Sequence, residues 1–308
     1  MSFPTILVWR MAGTALLRAA LRAAVVLVAA TRCRAMDTII IGGSSGMGKA
    51  AAKACLRAGG RVLLASRDRS RLAAARREIL HDCPAPKKAG FSDSHAMLLD
   101  EASKVRTVVL DARDEAAMAD FAKTLDDGEY EGLVVSAAGR APHGAVADLD
   151  VAETREIFDS KFWSAYHAAK HVAPKLRDGG AVCFVAGVLN RRPGVNSAPL
   201  ACVNGALEGL TRSLALDLGP RLRVNCLSPG FADTERFDHM DAEKKARMLA
   251  NTADSLPLKR HGTPADMGAA IHYLLTAAFV TGVVLDVDGG HTIRQYANPQ
   301  TDPMRSPS

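Results

Sequence analysis

The stretch Thr38–Ala52, reading Thr-Ile-Ile-Ile-Gly-Gly-Ser-Ser-Gly-Met-Gly-Lys-Ala-Ala-Ala, constrains this chain more than any other. Ile39, Ile40 and Ile41 form a short β-branched run suited to a strand buried on both faces, and Gly42, Gly46 and Gly48 break it before an alanine-rich helix. Strand, glycine turn and helix in that order make a phosphate cradle. Glycines lack the Cβ atoms that would hold a pyrophosphate off the backbone, and the helix offers unpaired N–H groups at the positive end of its dipole. The residues expected to line the cradle are Gly42, Ser44, Ser45, Gly46, Met47 and Gly48. Glycines also make ordinary turns, so the nucleotide reading rests on the strand before them and the helix after them.

A chain of 308 residues, 48% hydrophobic and 23% charged, can bury a large core and suits one α/β domain of about 250 residues. The net charge of +6 is a local matter, because Arg10, Arg18, Arg22, Arg32 and Arg34 lie in the first 36 residues, where no Asp, Glu or Lys occurs. The remainder is near neutral and offers no basic surface for nucleic acid. Cys33, Cys55, Cys83, Cys183, Cys202 and Cys226 are scattered with no Cys-x-x-Cys pair, which favours free thiols in a reducing intracellular compartment over disulfides or a metal site.

Residues 1–35 read as a leader outside the fold. Their apolar residues interleave with Arg18 and Arg22 as in an acid-free transit peptide for mitochondrion or plastid. A start of translation at Met36, immediately before the first strand, is an equal alternative and leaves the protein cytoplasmic. A secretory signal fits less well, since Arg32 and Arg34 stand where cleavage would occur, and Arg18 and Arg22 interrupt the only candidate membrane span. Residues 36–293 then form the folded domain, and 294–308 a polar, flexible tail.

Along that domain, apolar runs alternate with helical spacing. Strands are expected at Arg61–Ser66, Val108–Leu110, Leu133–Val135, Ala181–Val185, Leu222–Leu227 and Val283–Val287. Helices are expected at Glu115–Leu125, Val151–Leu176, Leu200–Leu218 and Asp266–Thr276, with a polar insertion from His81 to Lys104. The alternation implies right-handed crossovers, a parallel sheet and a single Rossmann-type doubly wound domain. The stripe Phe158, Phe162, Trp163 and Tyr166 reads as core or subunit interface. Ser66 followed by Arg67 closes the second strand where an acidic residue would otherwise bind a ribose 2′-hydroxyl; a small residue and an arginine suit the 2′-phosphate of NADP. Arg67 is also one of several arginines opening a solvated helix.

The order of these elements over residues 37–292 resembles the short-chain dehydrogenase/reductase family, whose sheet has seven parallel strands flanked by helices. Its Thr-Gly-x-x-x-Gly-x-Gly motif is matched at Ile41–Gly48 with Ile41 in place of threonine. Asp111, followed by Ala112, stands where that family places the acid touching the adenine amino group. Ser136, Ala137, Ala138 and Gly139 are similar to its Asn-Ala-Ala-Gly turn, Pro229 and Gly230 with Thr234 to its nicotinamide loop, and Asp286–Gly290 to its closing strand. The resemblance implies a nicotinamide dinucleotide as cofactor, NADP rather than NAD by the reading of Ser66 and Arg67, a small-molecule carbonyl or alcohol as substrate, and a homodimer or homotetramer.

The family's chemistry rests on a Tyr-x-x-x-Lys pair in which the tyrosine exchanges a proton with the substrate oxygen and the lysine lowers its pKa and binds the nicotinamide ribose. Matching Ala206–Leu210 to the family's continuation puts Leu200 at the tyrosine and Asn204 at the lysine. The substrate-binding serine becomes Gly187 or Ala186, and the asparagine of the fourth helix becomes Lys161. The asparagine and lysine would thus have changed places, one ammonium and one amide being kept, with Lys161 and Asn204 in one volume under the nicotinamide ribose; the equal alternative is that Lys161 only runs along the helix to solvent, its position relaxed because catalysis was lost. Replacement groups are sought in His143, Ser197, Arg191 and Arg192, each of which also reads as an ordinary loop residue. Two functions stay open: an NADP(H)-dependent oxidoreductase with a non-standard acid/base, and a dinucleotide-binding protein without turnover, serving as sensor or structural partner.

Overall fold

The computed structural model describes residues 34–84 and 104–294. The leader of residues 1–33, residues 85–103 of the polar insertion and the tail 295–308 lie outside the described residues. Seven strands, β1 (Thr38–Ile41), β2 (Val62–Ser66), β3 (Val105–Val109), β4 (Gly132–Val135), β5 (Gly180–Val185), β6 (Leu222–Pro229) and β7 (Val284–Val287), form one parallel sheet in the order β3-β2-β1-β4-β5-β6-β7. The register is continuous through the centre, Ile39 standing between Leu63 and Leu133.

Helices cover both faces, as strands with near-continuous apolar sequence require. On one face α1 (Gly46–Arg57), α2 (Arg69–Asp82) and α8 (Pro264–Thr276) bury Ala51, Cys55, Leu72, Ile79, Ile271 and Leu275 against Ile40 and Leu64. On the other, α3 (Glu115–Lys123), α4 (Val151–Phe158), α5 (Ser164–His171) and α6 (Ala198–Asp217) surround Ile39, Ile41 and Phe184; α3, α5 and α6 contribute Met118, Phe121, Ala165, Ala168 and Leu207. Successive residues of β1 point to opposite faces, which is why Ile39 and Ile41 fall in one cluster and Ile40 in the other. A remaining helix, α7 (Ala242–Ser255), follows β6 on the surface.

From β1 the chain runs outward through β2 to β3, then returns past β1 to β4 and continues the other way. The reversal opens a crevice at the carboxyl ends of β1 and β4, the place where open α/β sheets bind ligands. Both the glycine turn after β1 and the Ser136–Gly139 turn after β4 lie at that crevice.

Several expectations need correction. The helix expected over 151–176 is interrupted: a π-helical turn at Asp159–Trp163 separates α4 from α5, and a short 3₁₀ turn at Ala173–Lys175 follows. A π-turn inserts an extra residue and rotates the side chains after it, a device common at functional sites. Here it lies where Ser160 and Lys161 turn inward. The aromatic stripe is only partly core: Phe162 packs against the core from its edge, whereas Trp163 and Tyr166 are 44% and 42% exposed and meet edge to face with ring centroids 5.7 Å apart, and the inner side is Ile157, Ala165, Ala168 and Ala169. Helix α2 runs on through His81 and Asp82 because Lys53 of α1 pairs with Glu78 at 2.6 Å and Asp82 at 2.7 Å. Sequence spacing did not mark α7, which is capped by Asp241, accepting from Glu243 N and Lys244 N. Among the described residues no helix is long and apolar enough to cross a membrane, and Cys55, Cys83, Cys183, Cys202 and Cys226 are free thiols.

Candidate active site

The glycine turn and the turn after β4 are built as one unit. Gly42 has φ +86°, a left-handed value, and a Cβ on it would lie 2.6 Å from Ala137 N. A side chain at Gly48 would strike Gly42 O and Ser136 Oγ. Ser136 instead donates its hydroxyl to Gly42 O at 3.3 Å. Ala138 follows in that turn, and Gly139 N donates to Ser160 Oγ at 2.9 Å, which ties the turn to the π-helical segment.

Helix α1 begins at Gly46, and its N-cap residue, Ser45, makes no side-chain capping bond. The Gly46 N–H donates to Glu235 Oε2 at 2.7 Å, and Lys49 Nζ lies 2.5 Å from Glu235 Oε1 and 2.7 Å from Glu78 Oε2. Burial opposes both charges, but the Lys49 ammonium and the Gly46 N–H hold the Glu235 carboxyl below its ordinary pKa, while Glu235 and Glu78 raise that of Lys49. A helix N-terminus that takes a carboxylate oxygen presents the chemistry a phosphate oxygen needs, so this cradle fits the pyrophosphate of a dinucleotide. Thr234 rests over Gly46, its Cβ 3.7 Å from the position a Gly46 Cβ would occupy. Pro229 ends β6 opposite Val287, and Gly230 N donates to Val287 O at 3.0 Å.

At the carboxyl end of β2 Ser44 Oγ donates to Ser66 Oγ at 3.0 Å, and Arg67, exposed, follows Ser66 directly. Asp111 is paired with Arg113, whose Nη2 lies 2.7 Å from Oδ2; that hydrogen bond holds the Asp111 carboxyl below the usual range. Ala112 is buried and its carbonyl meets His167 Nδ1 at 3.2 Å.

At the other end of the crevice Lys161 and Asn204 meet. Lys161 Nζ donates to Asn204 Oδ1 at 2.6 Å and to Ala186 O at 2.8 Å, and both side chains are buried, 7% and 1% exposed. Burial pulls the Lys161 amine down to about 7, with the charge of Arg236 acting in the same direction. A Cβ on Gly187 would lie 2.9 Å from Asn204 Nδ2, so the amide fills the space a side chain there would need. Leu200 stands in the first turn of α6, one turn before Asn204.

The other replacement groups are elsewhere engaged or remote. Ser197 is buried and donates its hydroxyl to Gly194 O at 2.6 Å. His143 is exposed in the loop after β4. Among the described residues no hydrogen bond joins either to Lys161 or Asn204. Arg191 grips Asp286 with two bonds of 2.7 and 2.6 Å and lies 3.2 Å from Glu208, and Arg192 reaches Thr292 O at 3.5 Å. The residues missed from sequence are Glu235, Lys49 and Arg113. Arg113 is two places from Asp111 and was legible as a local pair; Glu235 is 189 places from Gly46, and nothing local signals the contact.

The family profile described as Enoyl-(Acyl carrier protein) reductase matches residues 87–292. A short-chain dehydrogenase/reductase of Stachybotrys chlorohalonatus is 31% identical over 264 residues, 83% of this chain and 97% of the relative. A small-chain dehydrogenase solved in complex with NADPH is 29% identical with a TM-score of 0.67, covering 84% of this chain and 99% of that one. The NADPH-bound short-chain oxidoreductase of Pseudomonas aeruginosa PAO1, described as containing an atypical catalytic center, is 26% identical with a TM-score of 0.69, covering 85% and 97%.

Proposed function

Since the chain belongs to the short-chain dehydrogenase/reductase family of oxidoreductases, we propose that it moves hydride between NADP(H) and a small carbonyl or alcohol compound, with Lys161 and Asn204 in place of the usual tyrosine-centred set. The observation that carries this reading is the buried Lys161 amine, 2.6 Å from Asn204 Oδ1, at the crevice where Leu200 leaves no hydroxyl. The nicotinamide, when bound, supplies or accepts the hydride. Gly42, Ser44, Ser45, Gly46, Met47 and Gly48 hold the pyrophosphate; Ser66 and Arg67 the 2′-phosphate; Asp111 and Ala112 the adenine. Ser136, Ala137, Ala138 and Gly139 line the ribose side, and Pro229, Gly230 and Thr234 orient the nicotinamide. Lys161 has three N–H donors, two of them engaged by Asn204 and Ala186, and the third serves the ribose or substrate oxygen. An amine held near 7 can also release and take back a proton at neutral pH, the condition for general acid–base work.

The chain works inside the cell as a homodimer or homotetramer: free cysteines favour a reducing compartment, and exposed Trp163 and Tyr166 favour a covering partner. Residues 1–35 are either a transit peptide for mitochondrion or plastid or an extension upstream of a cytoplasmic protein starting at Met36. The test of the activity is loss of NADPH absorbance against ketones, aldehydes and quinones, for the full chain and for Lys161→Met. Turnover lost in Lys161→Met supports the reading. A second reading, a dinucleotide-binding protein without turnover, is favoured by Leu200 and by the engagement of Ser197 with Gly194; tight NADPH binding with oxidation by no member of the panel would establish it.

A further inference from the structure

We propose that Glu235 is a displaceable stand-in for the cofactor's pyrophosphate: its carboxylate caps α1 and latches the loop after β6 over the glycine turn until the dinucleotide ejects it. The inference rests on the reading that residues 42–48 seat a dinucleotide. Glu235 comes from a loop far along the chain, yet one of its oxygens takes the Gly46 N–H at 2.7 Å and the other the Lys49 ammonium at 2.5 Å. These are donors of the kind an incoming phosphate needs, and two anions cannot share them without strong repulsion. Thr234 lies across the same glycine, so loop and latch cover the cradle together.

The rest of the loop is fastened independently of the latch. Ala232 bridges to Gly262, Asp233 N donates to Gly262 O at 3.0 Å, and Lys245 of α7 pairs with Asp233 and Asp238 at 3.0 Å each. Between these anchors lie Thr234 and the short 3₁₀ turn Glu235–Phe237; Thr234 and Glu235 meet Gly46 and Lys49 of α1, and Phe237 stacks on Phe231 with ring centroids 4.9 Å apart, so ejection of Glu235 moves a small unit and leaves these supports in place. Lys49 also keeps a second partner, Glu78 at 2.7 Å, on the side of α2. When Glu235 leaves, the Lys49 ammonium stays at the helix N-terminus and passes from a carboxylate to the pyrophosphate. The latched form cannot bind cofactor, and the apparent dissociation constant is raised by the inverse of the unlatched fraction.

The test compares the full chain with Glu235→Gln, which removes the charge, and Glu235→Ala, which removes the contact. Calorimetric titration with NADPH should show both variants binding about tenfold more tightly or better, the size expected for a lost charge-assisted contact. Thermal unfolding supplies a second readout. Without NADPH the variants should melt below the unmodified chain, having lost the Gly46 and Lys49 contacts. At one NADPH concentration far above every dissociation constant, the three should melt together, because the latch is broken in all. NADPH binding that is equal or weaker in both folded variants overturns the latch and leaves the dinucleotide reading intact. Failure of all three chains to bind NADPH or NADH overturns that reading and the latch with it.

Discussion

Replacing Lys161 with methionine removes an amine but keeps most of the volume, and three responses can be worked from the structure. Two of the three ammonium donors are spent on Asn204 Oδ1 at 2.6 Å and Ala186 O at 2.8 Å, which leaves one for the ribose or substrate oxygen. A charge-assisted bond of about 1.5–3 kcal/mol corresponds to roughly 10- to 150-fold in affinity, so Lys161→Met should weaken NADPH binding by about tenfold or more. Burial holds the amine near about 7, so the ammonium fraction falls as pH rises through that value. Affinity in the unmodified protein should fall over the same interval, while Lys161→Met stays flat at its weaker level.

Folding stability should respond in the opposite direction. Between about 7 and the ordinary 10.5 the unfolded chain binds a proton at Lys161 that the folded chain does not. Stability therefore rises with pH across that window, by at most about 1.4 kcal/mol per pH unit, and the rise should be absent in Lys161→Met. Asn204 and Ala186 lose a donor in the variant, which lowers its stability at every pH, so the diagnostic quantity is the slope and not the level. The assays are NADPH titration by calorimetry and urea unfolding, both from about pH 6 to about pH 10. A folded Lys161→Met protein with unchanged NADPH affinity at every pH, and a stability curve parallel to that of the unmodified chain, would refute the assignment.

Arg67→Asp should reverse or abolish a preference for NADPH over NADH, with a loss of about 1.5–3 kcal/mol in NADPH binding; equal dissociation constants for the two nucleotides in the unmodified protein would contradict the role given to Ser66 and Arg67. Gly187→Ser, at one of the two positions matched to the family's serine, places a Cβ 2.9 Å from Asn204 Nδ2, so it should displace the amide, loosen its bond to Lys161 and raise the amine's pKa toward ordinary values as water enters. The amine's titration, followed by isotope-labelled lysine resonances, checks this; an unmoved midpoint would show that the site absorbs the serine.

The parallel doubly wound sheet was legible because its signals are contiguous. An apolar run such as Ile39–Ile41, ended by glycines and followed by alanines, states strand, turn and helix within a few residues, and the repeat of that alternation fixes a topology. The same holds for Pro199 at the entry of α6 and for the Ser136–Gly139 turn. That Lys161 and Asn204 share one buried volume was also readable, and the 2.6 Å bond between them shows it.

What the sequence did not state is what depends on atoms brought together from distant residues. Spacing alone made residues 151–176 one helix with an aromatic stripe for core or interface; the chain instead inserts a π-turn, turns Lys161 inward beside Asn204 and leaves Trp163 and Tyr166 outside the core. Satisfying a buried ammonium outweighs burying two rings that can rest half-exposed. Ser197, a hydroxyl three places before Leu200, is taken by Gly194 O, a choice settled by loop geometry. Glu235 meets Gly46 across 189 residues, and Lys161 meets Asn204 across 43. Local sequence thus determined which segments become strands and helices and which residue types reach the crevice. Tertiary packing alone decided which of them touch, which are dehydrated, and so which amine sits near neutrality, because both electrostatic coupling and burial are set by distances that only the folded chain defines.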